Sequence, residues 1–253
     1  MQLILTDLDE TLLHSDKTIS NYTLSVLERC KEKGILVGFS TSRGMSNITQ
    51  YVEQVKPHIV ICNGGACIFY ENKLLHTESF TLEETKNILK TIFEVCGEGA
   101  EITLDTLNEI YWNRDKDKST TYAFDSIYDD FKNFSKPGMK ICVQTDDPEK
   151  AKQIAHSLSS CDFLPFSDIP WYKFSPGRAT KENAIEYLVK NLKIPLKRIV
   201  AFGDDFNDIG MLKLCGQGIA MGNAIPQVKE IADDITLSNN EDGVAKYLER
   251  LLK

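Results

Sequence analysis

Three acidic side chains, Asp7, Asp9 and Glu10, crowd the end of an apolar run in "LILTDLDETLL" (3–13). A second acidic group, Asp204, Asp205 and Asp208, follows another apolar run in "RIVAFGDDFND". Carboxylates gathered at one place repel one another, so they either take up protons or hold a cation. Hard oxygen donors at a crevice favour Mg²⁺, which keeps several waters and shares its shell with phosphate. Charge neutralised in that way lets a carboxylate attack phosphorus, a reaction otherwise hindered by repulsion. The chemistry these residues suggest is phosphoryl transfer.

That chemistry requires the two acidic groups to meet. In the first part of the chain strands and helices alternate. Residues 2–6 read as a buried strand. "SNYTLSVLERCKEK" (20–33) reads as a helix with Ser20 as N-cap and Gly34 past its end. "ILVGFS" (35–40) and "HIVICN" (58–63) read as strands flanking a helix at 45–55, and "ACIFYENKLLHTE" as a hairpin turning at Glu71-Asn72. Short strands joined by helices imply a parallel sheet. The alternation resumes with a helix at 180–192, a strand at 198–205, a short helix closed by Gly216, a strand at 218–222, a helix opened by Pro226 and a final amphipathic helix. In such sheets ligands bind beyond the carboxyl ends of the strands. Asp7, Asp9, Thr41, Asp204 and Asp205 fall at those ends, and Lys181 opens a helix beside them.

Between these halves the pattern changes. "TLEETKNILKTIFEVC" reads as an amphipathic helix with a Thr81–Glu84 capping box, and Leu82, Ile88, Leu89, Ile92 and Phe93 share a face. A strand pair turning at 106–108, an irregular charged stretch (113–119), a helix near 119–133, a strand at 139–145, a helix from Pro148 and the strands "CDFLPFS" and "WYKFSP" follow. This mixture predicts an inserted α+β unit over 80–178, with the parallel-sheet core formed by 1–79 and 179–253.

"DLDETLL" (7–13), "TSR" (41–43), Lys181 and "GDDFND" (203–208) resemble, in order and spacing, the four motifs of the haloacid dehalogenase (HAD) superfamily. "GIAMGNAIPQVKEIADDIT" followed by "NNEDGVAKYLERLL" resembles its Cof-type, class IIB sugar-phosphatase-like branch. The resemblance implies an α/β fold, a Rossmann-like parallel-sheet core with an inserted α+β cap. It implies Asp7 as nucleophile and Asp9 as general acid and then base. Mg²⁺ would be held by Asp7, the Asp9 backbone carbonyl and Asp204, with Asp208 either a direct ligand or one step behind the ligands. Thr41 and Lys181 would bind the phosphoryl group, Asn207 would orient Asp7 or the phosphate, and Arg43 and Asn63 would wall the substrate side. Glu10 and Ser42 stand where the family commonly has glycine. Glu10 is expected in an ordinary turn, pointing to solvent or capping a neighbour.

Each residue also has a plainer reading. Asp7 and Asp9 are common turn residues, and Lys181 alone reads as a solvated lysine in a first helical turn. Asp205 reads best as a helix cap, and Asn63-Gly64-Gly65 as a tight turn. The aromatic residues Phe163, Phe166, Trp171, Tyr172 and Phe174 read as cap core, with Trp171 or Tyr172 over the site as the lesser alternative.

The 253 residues carry 42% hydrophobic and 26% charged side chains and a formal net charge of −8. That charge argues against a nucleic-acid or anionic-membrane partner. There is no signal-peptide pattern, no spanning apolar run and no CxxC pair. Seven scattered cysteines read as reduced thiols of a cytoplasmic protein. No HExxH, GxxxxGK[ST] or GxSxG motif supports another enzyme class. The expected activity is a Mg²⁺-dependent phosphatase acting on small phosphorylated metabolites, sugar phosphates first. The alternatives are a phosphomutase or phosphotransferase on the same site, or a non-catalytic sensor.

Overall fold

The computed structural model of the chain describes residues 1–114, 126–158, 161–166 and 169–253. The chain opens with β1 (Leu3–Thr6), α1 (Asn21–Glu32), β2 (Leu36–Ser40), α2 (Thr49–Val55), β3 (Ile59–Cys62), β4 (Cys67–Tyr70) and β5 (Lys73–Thr77). There follow α3 (Leu82–Cys96), β6 (Ile102–Asp105), β7 (Ile110–Trp112), β8 (Ile127–Tyr128), β9 (Lys140–Gln144), α4 (Pro148–His156), β10 (Cys161–Pro165) and β11 (Trp171–Pro176). It closes with α5 (Lys181–Leu192), β12 (Ile199–Gly203), α6 (Ile209–Leu214), β13 (Gln217–Ala220), α7 (Pro226–Ile231), β14 (Asp234–Ile235) and α8 (Gly243–Leu251).

The strands form two sheets. The larger runs β14-β13-β12-β1-β2-β3-β4-β5 and the smaller β10-β11-β9-β6-β7-β8. From β14 to β3 every pairing is parallel, and the β3–β4–β5 edge is antiparallel. The uninterrupted apolar character of β1 fits a central strand covered on both faces. Leu3, Ile4 and Leu5 are fully buried, each contributing roughly 1.5–3 kcal/mol of transfer free energy. Helix α1 packs against α2 and α8, while α5 packs against α6 and α6 against α7. The hairpin turn at Glu71-Asn72 has both residues at positive φ, the geometry that suits the twist of paired strands.

The smaller sheet has its own hydrophobic core. Ile88, Leu89 and Ile92 of α3 and Ile154 of α4 pack with Ile102, Leu104, Ile141, Val143 and Phe174 of the strands. Phe163 and Tyr172 stack beside this core, 5.8 Å between ring centroids. The Thr81–Glu84 capping box forms as its spacing predicts. Leu82 departs from the expected helical face: it stays exposed, because it opens the helix before the turn that meets the sheet.

One expectation for the middle region is corrected. Ile127 and Tyr128 are strand, held by parallel pairing to Tyr111 and Trp112, and so do not extend a helix to 133. The rest of that proposed helix, 119–125, and most of the charged stretch at 113–119 lie outside the described residues. The short edge strand β14 was not anticipated either. Its two residues carry too little pattern and exist through pairing to Ile219 and Ala220. All seven cysteines are free thiols, and Cys30, Cys62, Cys67, Cys142 and Cys215 are buried.

Because β12, β1, β2 and β3 lie side by side in parallel, the residues that follow them line one rim: Asp204, Asp7, Thr41 and Asn63. Helix α5 reaches that rim through a close approach of two backbones. Gly65 sits at φ +113°, and a side-chain carbon there would lie 2.2 Å from the carbonyl oxygen of Thr180. Thr180 caps α5, accepting from Asn183 N–H, and Lys181 follows it directly. Gly65→Ala is therefore expected to lower stability by about 1–3 kcal/mol from backbone strain and to push the start of α5 off the rim. A urea midpoint within error of the parent protein would contradict this.

Candidate active site

The first strand ends with its hydrogen bonds intact. Asp7 N–H donates to Phe202 O at 3.0 Å, and Thr6 Oγ1 donates to Asp7 O at 2.7 Å. The Asp7 side chain then turns into the rim, almost wholly buried. Lys181, also buried, places its Nζ 2.7 Å from Asp7 Oδ1 and 2.6 Å from Asp208 Oδ1. The other Asp208 oxygen accepts from the backbone N–H groups of Asp204 and Asp205, at 2.9 and 3.2 Å. Asp205 caps the following turn, accepting from Phe206 N–H, as its position suggests. Thr11 Oγ1 donates to Asp204 Oδ1 at 2.6 Å. One carboxylate oxygen from each of Asp7, Asp204 and Asp208 lies within 4.8 Å of the others.

Three carboxylates thus face one ammonium in a buried place. Burial pushes the Asp7 carboxyl up to about 7; Lys181 opposes the rise, and Asp208 and Asp9 add to it. Burial, then the charges of Asp208 and Asp7, push Asp204 up to about 9 against the Thr11 hydrogen bond and Lys181. Burial works against the Lys181 charge, but Asp208 and Asp7 outweigh it and hold the ammonium above its ordinary value. Without a cation, Asp7 and Asp204 hold their protons to higher pH than ordinary carboxyls do. Its donor set suits a small hard divalent ion: all oxygen, anionic, and closer together than their mutual repulsion favours.

Asp9 stands apart. Its carboxylate meets Arg43 through two parallel hydrogen bonds, Nε to Oδ2 and Nη2 to Oδ1, both 2.7 Å. Lys17 Nζ lies 3.1 Å from the same Oδ1. Burial alone would raise this carboxyl; Arg43, with Lys17, outweighs burial and holds it below the usual range. It is not one of the three clustered carboxylates, though its charge still acts on Asp7. Glu10 is not in the ordinary turn expected of it. Its φ is 51° and ψ 12°, the left-handed region. It is held there by Lys17 Nζ at 3.2 Å and Asn239 Nδ2 at 3.1 Å on its carboxylate, and Asn223 Nδ2 at 2.7 Å on its carbonyl.

The second and third strands supply the remaining wall. Thr41 is buried, its Oγ1 accepting from Arg43 N–H at 3.1 Å and its carbonyl from Gly64 N–H at 3.0 Å. Asn63 is buried at φ 50°, and among the described residues its Oδ1 has no hydrogen-bond partner. It belongs to the tight turn that Asn63-Gly64-Gly65 predicts. Asn207 Oδ1 accepts from Lys173 Nζ at 3.0 Å. The smaller sheet also reaches the rim through Lys140, whose Nζ donates to Ser42 O at 3.0 Å and lies 2.8 Å from Asp105. Thr11 and Lys173 escaped the sequence reading. Thr11 lies within "DLDET" and was legible there; Lys173, in the middle of a strand, gave no signal.

A family model described as haloacid dehalogenase-like hydrolase matches residues 4–248. The chain is 30% identical to the 5-amino-6-(5-phospho-D-ribitylamino)uracil phosphatase YitU of Bacillus subtilis, over 97% of this chain and 96% of that protein. A solved haloacid dehalogenase-like hydrolase from B. subtilis superposes with a TM-score of 0.86 at 27% identity, covering 99% and 100% of the two chains. The HAD subclass IIB sugar phosphatase BT4131 superposes with a TM-score of 0.87 over 99% of both chains; at 22% identity this is a likeness of fold. Among the described residues no helix is long and apolar enough to cross a membrane. A parallel sheet with its acidic rim, and matches that run nearly end to end, place this chain in the haloacid dehalogenase-like hydrolase family, among its phosphatases.

Proposed function

We propose that the chain hydrolyses small phosphorylated metabolites, sugar phosphates first among them, with Mg²⁺ and a phosphoryl group carried briefly on Asp7. The observation that supports this most is the Lys181 bridge between Asp7 and Asp208, at 2.7 and 2.6 Å, beside the third carboxylate of Asp204. The name of the uracil-derivative phosphatase from B. subtilis supports a small phosphomonoester as substrate. The smaller sheet with its helices, residues 80–178, would act as a cap that excludes large substrates.

In this reading an Asp7 oxygen attacks phosphorus as the bond to the leaving alcohol breaks. Asp9 gives the alcohol its proton. A water then attacks the aspartyl-phosphate, Asp9 takes that water's proton, and phosphate leaves with Asp7 restored. Lys181 and Thr41 hold the phosphoryl oxygens, the lysine supplying fixed positive charge where negative charge gathers. Asp7, Asp204, Asp208 and the Asp9 carbonyl would hold Mg²⁺, which neutralises carboxylate and phosphate charge when bound. Asp208 would either hold the ion directly or position the groups that do, its oxygens already meeting Lys181 and two backbone N–H groups.

The protonation pattern of the free protein is the reverse of the one this chemistry needs. Asp7, the nucleophile, is raised, and Asp9, the acid, is lowered. A cation beside Asp7 favours its ionised form. Release of the Arg43 clamp lets Asp9 rise toward proton-donating range. Loading and substrate entry would therefore set the two roles together.

Asp7→Asn is expected to cut phosphate release by about a thousandfold or more with the circular-dichroism spectrum intact. Turnover at the parent rate would remove Asp7 from the nucleophile's role. Chelation is expected to silence release and added Mg²⁺ to restore it; full rates in excess chelator would reject the metal.

A third expectation concerns stability. Asp7 and Asp204 bind protons in the folded chain at pH values where the unfolded chain has lost them. The folded state therefore loses stability as pH rises from about 4 through 7 to 9 without a cation. Mg²⁺ displaces those protons, so it should raise Tm more at pH 8.5 than at pH 5.5. An equal Mg²⁺ shift at both values would count against the cluster as its site.

A further inference from the structure

Lys173, on β11 of the smaller sheet, is buried, with a side chain only 5% exposed. Its ammonium reaches the larger unit at the rim. Nζ donates to Asn207 Oδ1 at 3.0 Å, one residue before the Asp208 that Lys181 grips. On its other side lies the turn after β3: a side-chain carbon at Gly64 would stand 3.4 Å from Nζ. That turn is tied to the site by the Gly64 N–H bond to Thr41 O. The ammonium therefore lies against both the Asn207 loop and the turn after β3, two loops that flank the rim at which a phosphate ester on Asp7 would sit.

Its charge is matched from one side only. Asp162 Oδ2, on β10, lies 3.2 Å away, with its side chain 24% exposed. Toward the rim the ammonium meets a neutral amide oxygen and a glycine. Among the described residues no third acceptor comes within hydrogen-bond reach of Nζ. A buried ammonium is a costly way to hold two units together when a neutral donor would serve an amide oxygen as well. A neighbouring anion is what such a group is suited to recognise.

We propose that Lys173 is a specificity-determining residue that selects phosphate esters whose leaving alcohol carries a carboxylate. This rests on the phosphatase reading above. A monoanion suits the place better than a second phosphate, because Asp162 remains nearby and repels a dianion more strongly.

The test is kcat/KM for phosphate release within two matched pairs: 3-phospho-D-glycerate against sn-glycerol 1-phosphate, and 6-phosphogluconate against sorbitol 6-phosphate. Each pair differs only by a carboxylate replaced with a hydroxymethyl group. The parent enzyme should favour the acid in at least one pair. Lys173→Met should reduce that preference about tenfold or more, Lys173→Arg should keep most of it, and Asp162→Asn should increase it. A parent enzyme with no preference in either pair overturns the proposal. So does a Lys173→Met enzyme that loses rate on both members equally, the mark of a merely structural lysine. If Lys173→Met does not fold, Asp162→Asn decides: an unchanged or smaller preference overturns it. Release from p-nitrophenyl phosphate without acid preference defeats this inference alone. No release from any of these esters defeats the phosphatase reading as well.

Discussion

Three carboxylates and one ammonium share a buried space at the rim of the large sheet, and the rest of the site follows from that imbalance. Removing an unpaired charge from water costs several kcal/mol even after relaxation. The chain does not avoid the cost by replacing the charges. It ties each down instead. Lys181 meets Asp7 and Asp208, two backbone N–H groups meet the other Asp208 oxygen, and Thr11 meets Asp204. What is left is an excess of negative charge with fixed geometry, held until protons or a cation neutralise it. Parallel order makes this possible, because it delivers the ends of β12, β1 and β2 to one edge.

The units on either side of that edge meet through polar groups as well as packing. Met139 joins the core of the larger unit and contacts Cys67, Sγ to Sδ 3.3 Å. Around it, Lys140 reaches Ser42 O and Lys173 reaches Asn207. Both lysines come from the smaller sheet and end on loops that carry site residues.

How much of this was legible in the sequence depends on the distance over which each feature is decided. Strand ends are set locally, by apolar runs that stop at Asp7, Thr41, Asn63 and Asp204. The parallel arrangement follows from the helices between them. Helix caps at Ser20, Thr81 and Asp205 sit where side-chain chemistry puts them. The clamp of Arg43 on Asp9 joins residues 34 positions apart, and the reach of Lys173 to Asn207 another 34. No period or spacing encodes either contact. Both arise only after the sheets are packed, and so does the strand at 127–128, which owes its form to a neighbour.

Glu10 shows how a local rule yields to such packing. A side chain at φ 51° costs about 1–2 kcal/mol relative to ordinary backbone, which is why glycine or an ordinary turn is the natural expectation there. Here one carboxylate collects Lys17, Ser15 and Asn239, while the carbonyl takes Asn223. Those partners come from the following loop and from the end of the chain, and together they offset the strain. The left-handed step has two consequences for the residues on either side. It frees Asp9 to face Arg43, and it returns the chain so that Thr11 points back at Asp204. The strained residue thus separates the two acidic functions of the first loop, one aspartate turned into the cluster and the other kept outside it.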